Sequence, residues 1–291
     1  MALDVEGLRA KLANVPTLGV TGRVAGVTGL ALRFVVPGVR VGDVVVVRRR
    51  GQPLMCEVMG FEEGVAIGLP IGGLEGVGPD DVVESTGRPF DVRASEALLG
   101  RVVNGLGRPC DGGPPIDGAL VPVDAAPPTA LDRRPVTAPM ATGVRVIDGV
   151  LTLGEGQRVG LFAGSGVGKS TLLGAIARGT EADIVVVALV GERGREVGEF
   201  LDRSLGEAGR AKSVVVVATS DAPALERLRG AQVATAYAEH FRDRGARVLL
   251  LLDSVTRVAR AQRDAGLASG EPPTRRGYPP CRERSAQLGK S

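Results

Sequence analysis

Residues 161–173 read LFAGSGVGKSTLL, and they carry the clearest structural signal in the chain. The apolar run RVGLF at 158–162 precedes the glycines and predicts a buried strand, while apolar residues at helical spacing follow them and predict a helix. The turn between the two ends on Lys169 and Ser170. A strand, a glycine-rich loop and a helix in this order are typical of a loop that surrounds a phosphate chain. The stretch therefore predicts a nucleoside triphosphate site in an α/β fold.

Each residue type in this loop has a predicted role. Glycines at 164, 166 and 168 allow positive φ, which lets the backbone N–H groups turn inward. Lys169 is predicted to reach the β- and γ-phosphates, and the Ser170 hydroxyl to hold Mg²⁺. The general pattern is G-x-x-x-x-G-K-[ST], and the alternative is a glycine-rich turn with a surface lysine. The predicted nucleotide-binding residues are Ala163, which replaces the first glycine of the pattern, and Gly164, Ser165, Gly166, Val167, Gly168, Lys169, Ser170 and Thr171.

The composition narrows the class of protein. A chain of 291 residues suffices for one large and one small domain, and a formal net charge of +3 is too small to indicate nucleic acid or an acidic membrane. The three cysteines lack C-x-x-C spacing, so neither a disulfide framework nor a zinc site is predicted. No apolar run approaches the ~18 residues that span a bilayer, and the N-terminus lacks a signal-peptide pattern. These features favour a cytoplasmic protein.

The pattern along the chain predicts an α/β fold preceded by a small β-barrel. Leucines near helical spacing predict a helical segment at 1–17, and six short β-rich runs separated by Gly, Pro and Asp predict a barrel over 18–92. Over 93–280, continuous apolar strands alternate with helices, which predicts a mainly parallel sheet covered on both faces. Residues 281–291 are polar, lack an apolar period and form a divergent tail.

Within the larger domain, residues 108–140 contain eight prolines and are predicted to form an ordered strap without regular structure. The one histidine, His240, lies late in a predicted helix and is predicted to be a surface residue. The strands of the sheet are predicted at 158–163, 183–191, 213–219 and 247–253, with helices at 195–209 and 223–244.

Two carboxylates end predicted strands, at the edge where open α/β sheets bind their ligands. Asp253 follows four leucines and is predicted to hold Mg²⁺ through its waters, with capping of the next helix as a second role. Glu192 follows the 183–191 strand and is predicted to be the general base that polarises water, the alternative being an acid at a helix start. Arg257, one turn beyond Asp253, faces either the γ-phosphate or solvent.

Several segments together resemble the protein-export ATPases of type III secretion systems. These proteins are relatives of the flagellar export ATPase and of the catalytic subunit of rotary ATP synthases, and the resemblance runs from about residue 19 to residue 280. Two segments, VATSDAPALERL and GLASGEPPTRRGYPP, are more similar to the injectisome branch than to the flagellar branch. The segments that carry the resemblance are AGSGVGKST, ALVGERGREV, LLLLDSVTR, AQRDAGLASGEPPTRRGYPP and LLGRVVNGLGRPCDG.

The resemblance implies a homohexameric ring of RecA-like domains that binds ATP and Mg²⁺. Such a ring lies in the cytoplasm, peripheral to the membrane at the inner-membrane export gate, where ATP hydrolysis releases chaperones from secreted proteins and helps to unfold them. The implied partners are chaperone–effector complexes and the stator and stalk proteins of the apparatus. The barrel matches the family's collar, and the first helix matches its stator-binding segment.

By position, the resemblance also assigns the site. Lys169 and Ser170 match the phosphate and Mg²⁺ ligands, and Glu192 matches the catalytic glutamate. Asp253 matches the metal-associated aspartate, and Arg257 matches the phosphate-sensing arginine. A glutamate at 192 argues against the noncatalytic subunit of ATP synthases, which has Gln there.

The sequence departs from the family after GYPP, where it reads CRERSAQLGKS. The family's arginine finger, worth roughly 10³–10⁵ in rate, lies beyond this point, so weak Mg-ATP binding with slow turnover is expected. A non-hydrolysing nucleotide-binding fragment that contacts ring or stator proteins is therefore one alternative function. A RecA-like nucleic-acid motor is another, although the barrel region has only three aromatic residues for stacking on bases. We therefore expect no nucleic-acid partner.

Overall fold

The structure is a computed structural model, and it describes residues 19–129, 131–133, 135–164 and 166–270. These residues form two compact units, one of residues 19–90 with residues 268–270 and the other of residues 91–267. The helix predicted at 1–17 and the tail at 281–291 lie outside the described residues.

The first unit is a closed barrel of six strands. The strands are β1 (Thr21–Thr28), β2 (Ala31–Val35), β3 (Asp43–Arg48), β4 (Leu54–Glu62), β5 (Val65–Pro70) and β6 (Val82–Pro89). Their order around the barrel is β1-β2-β5-β4-β3-β6, and all neighbours are antiparallel. Residues such as Leu32, Phe34 and Val45 fill the interior, since alternate side chains of each strand point inward. The predicted small barrel is confirmed.

The second unit is an α/β core. Its strands are β7 (Asp91–Ala94), β8 (Val102–Asn104), β9 (Ala119–Pro122), β10 (Pro139–Met140), β11 (Leu153–Gly154), β12 (Ile184–Val190), β13 (Ser213–Ala218) and β14 (Val248–Asp253). Its helices are α1 (Arg145–Val150), α2 (Lys169–Gly179), α3 (Gly194–Glu199), α4 (Gly206–Ala211), α5 (Ala224–Arg242) and α6 (Val255–Ala268), with a 3₁₀ turn at Glu96–Leu98 and a π-helical segment at Phe200–Leu205. Four strands pair in parallel in the order β14-β12-β13-β8, which confirms the predicted parallel sheet.

The sheet is apolar on both faces, as its continuous apolar strands predict. On one face, Val187 and Leu189 of β12 belong to the same buried cluster as Leu173 and Ile176 of α2. The other face packs against α5, which lies against β12, β13 and β14. Burial on both sides holds the carboxyl ends of these strands rigidly, and the loops that follow them carry the predicted site residues.

The strand predicted at 158–163 does not form. Among the described residues, β14 pairs with β12 alone, and no ladder joins residues 158–163 to the sheet. The side chain of Phe162 is 98% exposed. An apolar run becomes a strand only where its backbone donors and acceptors pair with a neighbouring strand, and residues 158–163 form no such ladder with the described residues.

The proline-rich strap contains more regular structure than its sequence predicts. Within it, β9 pairs with β7 and β10 pairs with β11, both antiparallel. The guanidinium of Arg229, which is 2% exposed, donates to Asp124 at 2.8 Å, and the Gln232 amide donates to the same carboxylate at 3.0 Å. These contacts tie the strap to α5.

His240 is buried, which corrects the prediction of a surface residue. It is 5% exposed, and its ring packs edge-on against Phe241. Its Nδ1 lies 2.9 Å from a guanidinium nitrogen of Arg244. Burial, and secondly this cation, lower the pKa of His240. The residue lies on the buried side of α5. Polar and apolar residues are mixed along this helix, so its sequence does not show on which side a single histidine lies.

Asp111 is expected to stabilise the loop after β8. Its carboxylate accepts two hydrogen bonds from Arg101, at 2.7 and 2.8 Å, and one each from the N–H groups of Val102 and Gly113. We expect Asp111→Asn to lower the free energy of unfolding by about 2 kcal/mol, measured by urea denaturation. Asp117→Asn is the matched control, because its side chain is fully exposed. Equal stability of the two variants contradicts this prediction.

The Asp111 contribution also has a defined pH dependence. Hydrogen bonds from Arg101 hold the pKa of the Asp111 carboxyl well below its usual range. The stabilisation is therefore complete above the pKa of the unfolded chain and is lost as the pH falls toward the folded value.

Candidate functional site

The phosphate loop leads directly into α2. Gly166 and Gly168 have positive φ, at 77° and 93°, whereas Gly164 does not, so only two of the three glycines use the predicted conformation. Gly168 precedes the helix in the left-handed region, and α2 begins at Lys169. Because the first-turn N–H groups of a helix have no partner within it, the start of α2 is ready to accept a phosphate.

Most of the predicted site residues line one cleft. From the loop and α2 these are Ala163, Gly164, Gly166, Gly168, Lys169, Ser170 and Thr171, joined by Glu192 and Arg257. Val167 is not part of the lining and is 69% exposed, and Ser165 lies outside the described residues. Asp253 is not in the cleft lining and reaches it through Lys169.

Lys169 and Asp253 form an ion pair at the carboxyl end of β14. The ammonium donates a short hydrogen bond to Oδ1 of Asp253. The Asp253 side chain is 4% exposed and the Lys169 side chain 31% exposed. Within the described ranges, no N–H group of α6 donates to Asp253, so its carboxylate serves Lys169 and not the helix start. A phosphate that binds Lys169 therefore competes with Asp253.

Arg257 connects α6 to the end of β12. Its Nη2 lies 3.1 Å from Oε2 of Glu192, and its Nη1 donates a short hydrogen bond to the Gly191 carbonyl. Gly191 has a φ of 71°, and a Cβ there would lie 2.9 Å from Cδ of Arg257. Only glycine allows this approach without displacing the arginine. The structure thus places Arg257 in the cleft and not in bulk solvent.

Glu192 lies in an environment that favours its protonated form. Its side chain is 13% exposed, and this burial, together with a hydrogen bond to Glu196, raises the pKa of Glu192 to about 7. The charge of Arg257 opposes the rise. The same hydrogen bond lowers the pKa of Glu196, which accepts it. A carboxyl group with a pKa near 7 is suited to proton transfer at neutral pH.

Sequence reasoning missed six residues of the cleft lining: the uncharged Gly191 and Ser220, and the charged Glu196, Arg193, Arg227 and Arg260. For Glu196 a signal was present, because it follows Glu192 by four residues at the start of a predicted helix. The arginines carry no local signal: Arg227 and Arg260 lie on helices, where an arginine is usually solvated, and Arg193 directly precedes α3.

The oxygen donors beside Lys169 fit a magnesium ion. The Ser170 hydroxyl is adjacent in the chain, and the Asp253 carboxylate is adjacent through the ion pair. Mg²⁺ prefers oxygen ligands and is usually held by one or two protein groups plus phosphates. No cluster of three His, Cys, Asp or Glu side chains in the described part could hold a metal by itself. Any Mg²⁺ here is therefore expected to arrive with the phosphates.

Comparison with known proteins adds to this geometry. Residues 143–285 match the family described as ATP synthase alpha/beta family, nucleotide-binding domain. The type 3 secretion system ATPase of Xanthomonas euvesicatoria is 51% identical over 280 residues, which are 94% of this chain and 62% of that protein. The match places residues 143–285 in that family. The flagellum-specific ATP synthase of Bacillus subtilis (strain 168) is 48% identical over 264 residues, 89% of this chain and 60% of that protein.

Solved structures of similar proteins have the same fold. The assembled ATPase EscN from the type III secretion system of enteropathogenic E. coli superposes with a TM-score of 0.81 at 46% identity, covering 89% of this chain and 63% of that chain. EscN in complex with its central stalk EscO gives a TM-score of 0.84 at 45% identity, with 92% and 66% covered. These values confirm the predicted P-loop α/β fold. This chain spans about 60% of the length of the curated relatives it matches. No helix in the described ranges has the length and apolar character needed to cross a membrane.

Proposed function

We propose that this chain is the ATP-binding part of an ATPase that serves a type III protein secretion apparatus. One observation carries the proposal: Lys169 of a phosphate loop and a carboxyl group with a pKa near 7, Glu192, line the same cleft. The 51% identity to a protein named as a type 3 secretion system ATPase supports the biological setting.

In the proposed mechanism, the triphosphate lies along the loop and the N-terminus of α2. Lys169 exchanges part of its contact with Asp253 for the β- and γ-phosphates. Ser170 and, through water, Asp253 would hold Mg²⁺, which would supply positive charge to the phosphates. Deprotonated Glu192 orients a water and accepts its proton, while Arg257 stays fixed by Gly191 and Glu192 and faces the terminal phosphate.

The proposal predicts an acid limb in the pH profile of ATP hydrolysis. Because the base must be deprotonated, activity is expected to rise with pH and reach half its plateau near pH 7, the pKa of Glu192. Glu196→Gln removes the neighbouring negative charge and the carboxylate acceptor, so it should shift this limb to lower pH. If the acid limb of the Glu196→Gln variant lies at the same pH as that of the parent, Glu196 does not raise the pKa of Glu192. Steady-state rates between pH 5 and 9 measure both profiles.

For the whole protein, we infer a cytoplasmic homohexamer that docks peripherally at the inner-membrane export gate. Its proposed partners are stalk and stator proteins and chaperone–effector complexes, which ATP hydrolysis would release and help to unfold. The solved structures of EscN, described as assembled and as a complex with the central stalk EscO, support this assembly.

A genetic experiment tests the proposed setting. In a bacterium that encodes this chain, Glu192→Gln at the native locus should stop secretion of injectisome substrates, measured in the culture medium, at unchanged protein level. Loss of flagellar assembly with intact injectisome secretion would instead identify a flagellar ATPase, an alternative that the 48% identical flagellum-specific relative favours. Unchanged secretion and motility contradict the proposal.

A further inference from the structure

Five basic side chains line the nucleotide cleft, and four of them already have partners. Lys169 pairs with Asp253, and Arg257 pairs with Glu192 at 3.1 Å. Arg193 lies 3.3 Å from Glu196. Arg227 lies 3.4 Å from Asp264 and donates to the Ala222 carbonyl at 3.1 Å. The fifth is Arg260, an exposed residue of α6.

Arg260 differs from the other four because it forms no ion pair or side-chain hydrogen bond with any described residue. A phosphate that engages one of the paired cations must weaken an existing ion pair, which offsets part of the gain. Arg260 meets no such competition. Its full charge is therefore available to an anionic ligand in the cleft.

The position of Arg260 on α6 directs it toward the phosphate loop. It lies three residues after Arg257, so the two side chains share one face of the helix. Side chains of a helix lean toward its N-terminus, and α6 begins two residues after Asp253, the partner of Lys169. Arg260 therefore leans from the second turn back toward the end of the cleft that contains Lys169 and Arg257.

We propose that Arg260 binds the terminal phosphate of the nucleotide and helps the site to distinguish a triphosphate from a diphosphate. The inference rests on the proposed function, because it requires Mg-ATP to bind along the loop. In this arrangement Arg257 is committed to Glu192 and Gly191, and Arg260 is the arginine that is free to move onto the ligand. A guanidinium suits this role because its donors match phosphate oxygens in pairs.

The test compares nucleotide affinities of the 291-residue chain and its variants by calorimetric titration. The ligands are Mg-AMP-PNP, a slowly hydrolysed triphosphate, and Mg-ADP. Arg260→Gln is expected to raise the Kd for the triphosphate about tenfold and that for the diphosphate less than about twofold. Arg260→Lys keeps the charge and should recover most of the affinity. Arg242→Gln makes the same change of net charge outside the cleft lining and should alter neither Kd.

The outcomes separate this inference from the function on which it rests. If the parent chain binds both nucleotides and Arg260→Gln changes neither Kd, or weakens both equally, Arg260 has no role at the terminal phosphate. If the parent chain binds neither nucleotide, or if Lys169→Ala binds them as well as the parent does, the proposed function fails and the inference fails with it. Circular dichroism and thermal midpoints confirm that each variant is folded.

Discussion

Glu192→Gln is expected to lower the rate of Mg-ATP hydrolysis by about 10²–10⁴-fold, since a neutral amide cannot accept the proton of the attacking water. The Kd for Mg-ATP should stay within about threefold, because the substitution keeps the shape of the side chain and acts on the transition state. Single-turnover hydrolysis and equilibrium binding measure the two quantities separately.

Glu199→Gln is the matched control for this variant. Glu199 ends α3, is exposed, and lies outside the cleft lining, so the same change of charge there should leave hydrolysis unaltered. A Glu192→Gln variant that hydrolyses ATP at the parental rate would remove Glu192 from the mechanism. Loss of nucleotide binding in that variant would instead assign it a structural role.

Lys169→Ala is expected to weaken Mg-ATP binding about 100-fold, which corresponds to about 3 kcal/mol for lost charge-assisted hydrogen bonds to phosphate. The variant also leaves the carboxylate of Asp253, 4% exposed, without its cation. An uncompensated buried charge is strongly destabilising, so the free energy of unfolding should also fall, by about 3 kcal/mol. Urea denaturation and nucleotide titration report the two effects.

A double variant separates these two effects of Lys169. Lys169→Ala with Asp253→Asn removes both charges, so stability should return toward the parental value, while nucleotide affinity should stay low. If the double variant recovers nucleotide binding as well as stability, Lys169 acts only by neutralising Asp253. The ion pair would then be structural.

The sequence predicts the fold well where a pattern depends on local periodicity. Six β-rich runs became the closed barrel, and the apolar runs at 183–191, 213–219 and 247–253 became the parallel strands. The run at 158–163 has the same character but lies outside the sheet, because strand formation depends on a pairing partner that the run itself does not encode. The π-helical segment Phe200–Leu205 likewise interrupts a helix predicted as continuous.

The sequence predicts site residues whose residue type has a specific role. It is less informative where the role of a residue depends on which side chains the fold brings next to it. The loop motif placed Lys169 in the cleft, and the strand ends placed Glu192 and Asp253 near it. The Lys169–Asp253 ion pair joins residues 84 positions apart, which no spacing rule anticipates. The pKa of Glu192 near 7 likewise depends on burial and on Glu196, both of which arise from packing.

Hydrogen–deuterium exchange of the 291-residue chain, with and without Mg-ATP, shows whether the nucleotide binds at the phosphate loop. We expect slower exchange of backbone amides in the loop at 163–168 and in the first turn of α2, because those N–H groups bind the phosphates, and no such change in Lys169→Ala with Asp253→Asn. Unchanged exchange in this segment at saturating Mg-ATP, or protection confined to another part of the chain, would contradict a nucleotide site in this cleft.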